Sequence, residues 1–237
     1  VSDASKPTGT RAGGSVELSR ALAAIMGGRY LVMNPSRMRR HVRGYRFGRG
    51  AALAVALPGN LVDLWRVLQR CTEAGAVVVM QAANTGLTGG STPFGDDYGR
   101  PVVVINTLRI RSLHLRGDGS QVLAFPGVTL DALEKTLRPL GREPHSVIGS
   151  SCLGASVIGG ICNNSGGSLI QRGPAYSEQA LYAQVGADGQ LTLVNHLDIA
   201  LGSSPLEILS RLDRRDYDVD DVAWQTGRVA SDTSYAS

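Results

Sequence analysis

The stretch VVVMQAANTGLTGGSTPFG, Val77 to Gly95, decides the fold. Its apolar, β-branched start has the pattern of a strand covered on both faces, and it stops in a run of small residues. Gly86, Gly89, Gly90 and Gly95 alternate with Thr85, Thr88, Thr92 and Ser91, and no lysine or arginine is present. Just upstream, AALAVALP from Ala51 reads as a strand. Pro58 and Gly59 turn the chain, and Asn60 can cap a helix over LVDLWRVLQRCTEAG with Leu61, Leu64, Trp65 and Leu68 on one face. Gly75 ends that helix. The order is strand, helix, strand and glycine loop, with PVVVIN following as another buried strand.

Totals bound the class. The chain has 237 residues, 43% hydrophobic and 19% charged, which is ordinary for a globular protein, while 30 glycines are many. A net charge of +4 suits an anionic ligand or an acidic membrane surface and is too mild for nucleic acid, so no nucleic-acid partner is expected. Cys71, Cys152 and Cys162 form no CxxC pair, so neither a disulfide framework nor a metal site is expected, and a reducing compartment is the simplest reading. VSDASKPTGTRAGGS at the start has no apolar core of the signal-peptide kind, and no later apolar run approaches the ~18 residues of a spanning helix. Any membrane association is therefore expected to be peripheral, or to use parts outside this chain.

Residues 1–15 read as a disordered tail. Residues 16–50 hold a helix, VELSRALAAIMGG with Leu18, Ala21, Leu22 and Ile25 on one face, and then RMRRHVRGYRFGRG, with Arg37, Arg39, Arg40, Arg43, Arg46 and Arg49. That basic stretch is expected to be a solvated loop in preference to an anion-binding lip. Downstream, SLHL and QVLAF flank RGDGS as a hairpin, and Thr129 can cap LDALEKTLRPLG with Leu130, Leu133 and Leu137 inward. A long loop, REPHSVIGSSCLGASVIGGICNNSGGS, carries a second glycine and serine cluster. ALYAQV and LTLVNH form a second hairpin, and 203–237 read as a charged connection with at most one short helix around Leu206 to Leu212.

Named phosphate and nucleophile motifs fail on spacing. GLTGGST lacks the lysine of a P-loop, neither glycine cluster fits GxGxxG, and neither Ser91 nor Ser165 sits on a GxSxG elbow. His145, beside a proline, is read as structural. What remains is physical: successive backbone N–H groups can hold a diphosphate without cations where no Cβ stands in the way and small hydroxyls add donors. Ala82, Ala83, Asn84, Thr85, Gly86, Gly90 and Ser91 meet that description, although a tight loop needing glycine only for positive φ meets it as well. The second cluster adds Val157, Ile158 and Ile161 for the faces of a flat ring and Asn163 and Asn164 for its edges. Together the two clusters point to FAD or a nucleotide.

On these residues, with GNLVDLWRVLQRC and the run from GREPHSVIGSSCLGASVIGG to QALYAQV, the chain resembles the FAD-binding domain of the respiratory, quinone-dependent D-lactate dehydrogenases, nearly continuously from Tyr45 to Asp213. More broadly it is similar to flavoproteins of the vanillyl-alcohol-oxidase, or PCMH, type. The resemblance implies an α+β, two-lobed FAD-binding domain: a small parallel βαβ lobe over 51–105, then an antiparallel sheet with helices over 106–202, incomplete here. It implies that Ala82, Ala83, Asn84, Thr85, Gly86, Gly90 and Ser91 hold the pyrophosphate and that Gly149, Ser156 and Gly166 line the remainder of the FAD. The first loop has no His or Cys for a covalent flavin bond, so non-covalent FAD is expected. The implied reaction is oxidation of D-lactate to pyruvate with electrons passing to a membrane quinone. The implied location is the cytoplasmic side of the inner membrane, with peripheral contact through parts absent from this chain. Glycolate or another 2-hydroxy acid is the alternative substrate, and a silent flavin-binding fragment the alternative role. The base and the substrate clamp are expected outside the chain, so no catalytic residue is assigned.

Overall fold

The computed structural model describes residues 9–96, 98–144, 150–165, 179–197 and 199–218. The chain divides into two compact units. Unit one takes Val1–Pro58, Asp63–Gln81 and Gly86–Asn106; unit two takes Gly59–Val62, Ala82–Thr85 and Thr107–Ser237.

Unit one is built on a four-stranded sheet. Its strands are β1 (Leu31–Val32), β2 (Ala54–Ala56), β3 (Val77–Gln81) and β4 (Val102–Asn106), in the order β1-β2-β4-β3. β2 and β3 each run parallel to β4, while β1 is antiparallel to β2. Successive strand residues point to opposite faces, which explains why β4 is apolar at every position but its last. Val103 and Ile105 share one core with Ala54 and Ala56, with Leu18, Leu22 and Met26 of α1 (Gly9–Tyr30), and with Val67 and Cys71 of α3 (Leu61–Glu73). Val104 faces the other way, onto Val32, Val55 and Met38, the last from the short helix α2 (Pro35–Met38). Asn34 starts α2 by accepting from the amides of Ser36 and Arg37.

Three expectations change here. The helix expected from Val16 begins at Gly9, so the tail read as disordered through Ser15 is helical from that point; the helix kinks at Gly27, whose φ is 66°. β3 is not covered on both faces. It stands at the sheet edge, its three valines are half-buried and Met80 is 44% exposed. The lobe expected over 51–105 also takes in the N-terminal helix and the basic stretch.

Unit two contains two separate antiparallel hairpins, β5 (Leu113–Arg116) with β6 (Gln121–Ala124), and β7 (Leu181–Val185) with β8 (Leu191–Asn195). Thr129 caps α4 (Leu130–Leu137) through the amide of Ala132, and Leu130, Leu133 and Leu137 are buried as the spacing predicts. The glycine-rich segment read as a long loop contains a short helix, α5 (Val157–Cys162). Ser156 caps it, and Leu130 N to Ala155 O (2.8 Å) and Val157 N to Val128 O (2.9 Å) tie its start to the start of α4. The segment read as a charged connection contains α6 (Pro205–Arg214), capped by Ser204, with Ile208, Leu209 and Leu212 buried. Asp213 near its end accepts from the amides of Leu61 and Val62 at 2.9 and 3.0 Å, satisfying two of the orphan donors that every helix start leaves.

Candidate functional site

In open sheets with parallel strands, ligands bind where loops leave the carboxyl ends. β3 and β4 end side by side at Gln81 and Asn106, which are partners in register and are both buried. The Gln81 amide group donates to the carbonyls of His41 (2.9 Å) and Ser91 (2.7 Å). Its oxygen meets the His41 Nδ1 at 2.7 Å and accepts from the Asn106 amide group at 3.2 Å. Arg40 Nε lies 3.1 Å from His41 Nε2, and a guanidinium nitrogen only donates, so Nε2 is bare and the proton sits on Nδ1. Burial, and after it the Arg40 charge, lower the His41 pKa against the opposing pull of the Gln81 bond. Sequence reading missed this group. The available signal was that both apolar strands, VVVMQ and VVVIN, end in a side-chain amide immediately before a loop.

The loop that follows packs backbone to backbone against the basic stretch. Gly95 N donates to Arg49 O (2.9 Å), Ala51 N to Gly95 O (2.8 Å), Gly50 N to Val42 O (3.1 Å) and Gly44 N to Gly48 O (2.8 Å). A Cβ on Gly48 would lie 2.1 Å from the Thr92 hydroxyl, and one on Gly50 2.6 Å from Gly95 O. The loop expected to be solvated is thus fitted backbone to backbone against the glycine loop, while the side chains of Arg37, Arg39, Arg40 and Arg43 are exposed. With Tyr45, these arginines line an open groove of about 990 Å³.

Gly86 and Gly90 differ from those glycines. A Cβ on Gly86 would find the Ser91 hydroxyl only at 3.8 Å, one on Gly90 would meet nothing within 4 Å, and neither residue has the positive φ that excludes a side chain. The protein's own packing does not require glycine at either position. With Ser91 they form an open surface of small residues onto which a diphosphate can settle, so the residues present fit FAD.

Ala82, Ala83, Asn84 and Thr85 group with unit two and are half-buried. Asn84 holds a left-handed φ of 59°, and a Cβ on Gly154 would come 3.8 Å from the Ala83 methyl. Ser156 is buried, its hydroxyl accepting from Gly159 N at 3.0 Å. In the helix it caps, Val157 is buried while Ile158 is exposed, and the Asn163 amide group is turned onto Gly159 O at 2.8 Å. Gly149, Gly166 and His145 lie outside the described residues. Among the described residues no cluster of His, Cys, Asp and Glu could hold a metal, and no helix is long and apolar enough to cross a membrane.

Parallel strands deliver an open glycine loop free of Lys and Arg, and a capped glycine-rich helix follows later in the chain. The family model described as "FAD binding domain" matches residues 52–192, more than half of the chain, and the chain belongs to that family. It is 60% identical over 214 residues to the quinone-dependent D-lactate dehydrogenase of Escherichia coli (strain K12), and 55% identical over 211 residues to that of Haemophilus influenzae. These alignments cover 90% and 89% of this chain and 37% of each relative, so the chain spans less than two fifths of their length. Among solved structures, p-cresol methylhydroxylase matches with a TM-score of 0.60 at 15% identity, over 86% of this chain and 40% of that one, a likeness in fold alone. The α+β fold of the PCMH type and FAD as cofactor are those expected from the sequence.

Proposed function

We propose that this chain is the FAD-binding part of a dehydrogenase that oxidises D-lactate to pyruvate and passes the electrons to a quinone. The high identity to two quinone-dependent D-lactate dehydrogenases supports the substrate and acceptor, and the open glycine surface at Gly86 and Gly90 carries the cofactor's place. Ala82, Ala83, Asn84, Thr85, Gly86, Gly90 and Ser91 hold the diphosphate through backbone N–H groups and small hydroxyls, and Ser156, Gly149 and Gly166 line the remainder. Bound FAD supplies a two-electron acceptor for the substrate's C2 hydrogen.

The part of this chain is to bind and orient. Backbone donors need no counter-charge that must be desolvated, and glycine lets the phosphate oxygens approach the amides closely. From residue 18 to residue 62 the chain has arginines at 20, 29, 37, 39, 40, 43, 46 and 49 and no Asp or Glu, a local positive charge that favours an anionic cofactor. No His or Cys stands in the loop from Ala82 to Gly95, so FAD is held without a covalent bond. Contact with the membrane is peripheral, on the cytoplasmic side, and made by parts outside this chain.

The test is D-lactate-dependent reduction of a soluble dye and of a quinone by the full-length protein carrying this chain, after FAD reconstitution. Turnover of D-lactate well above that of glycolate is expected. Preference for glycolate or a longer 2-hydroxy acid would move the proposal to that substrate, and acid treatment that leaves flavin on the polypeptide would refute non-covalent binding.

A further inference from the structure

The geometry points to Gln81 and His41 as positioning residues for FAD: their side chains hold the glycine loop in the one shape that presents its N–H groups to the diphosphate. This rests on FAD binding at Gly86 to Ser91.

A loop rich in glycine has more backbone freedom to lose than any other. If only a fraction of molecules hold the competent shape, ligand affinity falls by that fraction. The loop must therefore be fixed from outside its own sequence. One side-chain amide does this. Gln81 stands at the loop's start, and its N–H groups hold the carbonyl of Ser91, ten residues on, and that of His41, at the entry of the basic stretch that packs on the loop. Residues 82–90 are thereby closed at both ends by a single planar group.

The amide's orientation is itself forced. Arg40 Nε can only donate, so His41 Nε2 accepts; Nδ1 then carries the hydrogen and takes the Gln81 oxygen, which also receives Asn106. The Gln81 nitrogen is left facing the two carbonyls. A reversed amide would set its oxygen against two carbonyl oxygens and its nitrogen against two donors. The chain Arg40, His41, Gln81, Ser91 thus has one self-consistent arrangement, and it requires neutral His41. The charged group facing His41 is Arg40; Gln81, and Asn106 behind it, are neutral.

The experiment is FAD titration of the full-length apoprotein by flavin fluorescence, with the melting midpoint measured alongside. Gln81→Met and His41→Leu are expected to weaken FAD binding about tenfold or more, the fraction-competent effect. His41→Asn, whose amide offers a donor where Nδ1 stands, is expected to remain within about threefold of wild type. Val104→Ala, a lesion in the sheet core away from this chain of bonds, is expected to lower the melting midpoint without a matching loss of FAD. Wild-type affinity should fall as pH drops through the folded His41 value, which burial holds below the ordinary 6.5, and His41→Asn should remove that fall. Folded Gln81→Met and His41→Leu proteins with wild-type affinity would overturn the proposal. So would a Val104→Ala loss as large as theirs, which would mark general loosening. If neither variant folds, the pH profile decides: a wild-type profile that His41→Asn leaves unchanged overturns it. A wild type that takes up no FAD would instead refute the reading on which the proposal rests.

Discussion

Unit one holds two sets of glycines that read alike in sequence and do opposite things. In the basic stretch, added Cβ atoms on Gly44, Gly48 and Gly50 would lie 1.8 to 2.6 Å from protein atoms; in the loop after β3, Gly86 and Gly90 have no neighbour closer than 3.8 Å. The first set is glycine because the chain fills the space. The second is glycine although the chain leaves it open, and the proposed occupant of that space is the diphosphate of FAD. A glycine-rich stretch thus acquires meaning only once its neighbours are known.

The sharpest way to test the contrast is Gly48→Ala. Its φ of 89° is strained for any side chain, and its new methyl would strike the buried, hydrogen-bonded Thr92 hydroxyl, so a loss of about 3 kcal/mol or more in chemical denaturation is expected. A change under about 1 kcal/mol would mean that the two loops are not fitted as described.

Acidification should loosen both loops together, because both hang on Gln81. The folded His41 pKa lies below its ordinary value, so the unfolded chain binds the extra proton first. The contribution of His41 is therefore complete above about pH 6.5 and is lost as pH falls toward the lowered folded value. His114 in unit two, buried and next in charge to Arg215, shifts the same way and adds to the acid-side decline. Melting midpoints measured against pH for wild type and His41→Asn should differ in slope below pH 6.5, and identical slopes would remove His41 from the account.

Thr92→Val removes the hydroxyl that bonds Gly89 O at 3.0 Å and should cost about 1 kcal/mol. Gly86→Ala should be smallest, within about 0.5 kcal/mol of wild type for the apoprotein, because the new methyl enters open space.

What the sequence disclosed was local. The β-branched runs, the caps at Thr129 and Gly75, the inward leucines of α4 and the small-residue loop after β3 all follow from spacing within a dozen residues. What it concealed was pairing over distance. Gly48 against Thr92, and His41 against Gln81, are 44 and 40 residues apart, and nothing in RMRRHVRGYRFGRG announces a partner. The edge position of β3 was hidden for the same reason: VVVMQ is as apolar as VVVIN, and only strand order tells which lies at the centre. The short helix expected around Leu206 to Leu212 is α6, legible through the helical spacing of Ile208, Leu209 and Leu212 despite the charges around it.

The central claim is that the space over Gly90 belongs to the diphosphate of FAD. Gly90→Ala in the full-length apoprotein tests it directly, by FAD titration beside a denaturation curve. The account predicts apoprotein stability within about 0.5 kcal/mol of wild type and FAD affinity reduced about tenfold or more. A Gly90→Ala protein that binds FAD as tightly as wild type would contradict it.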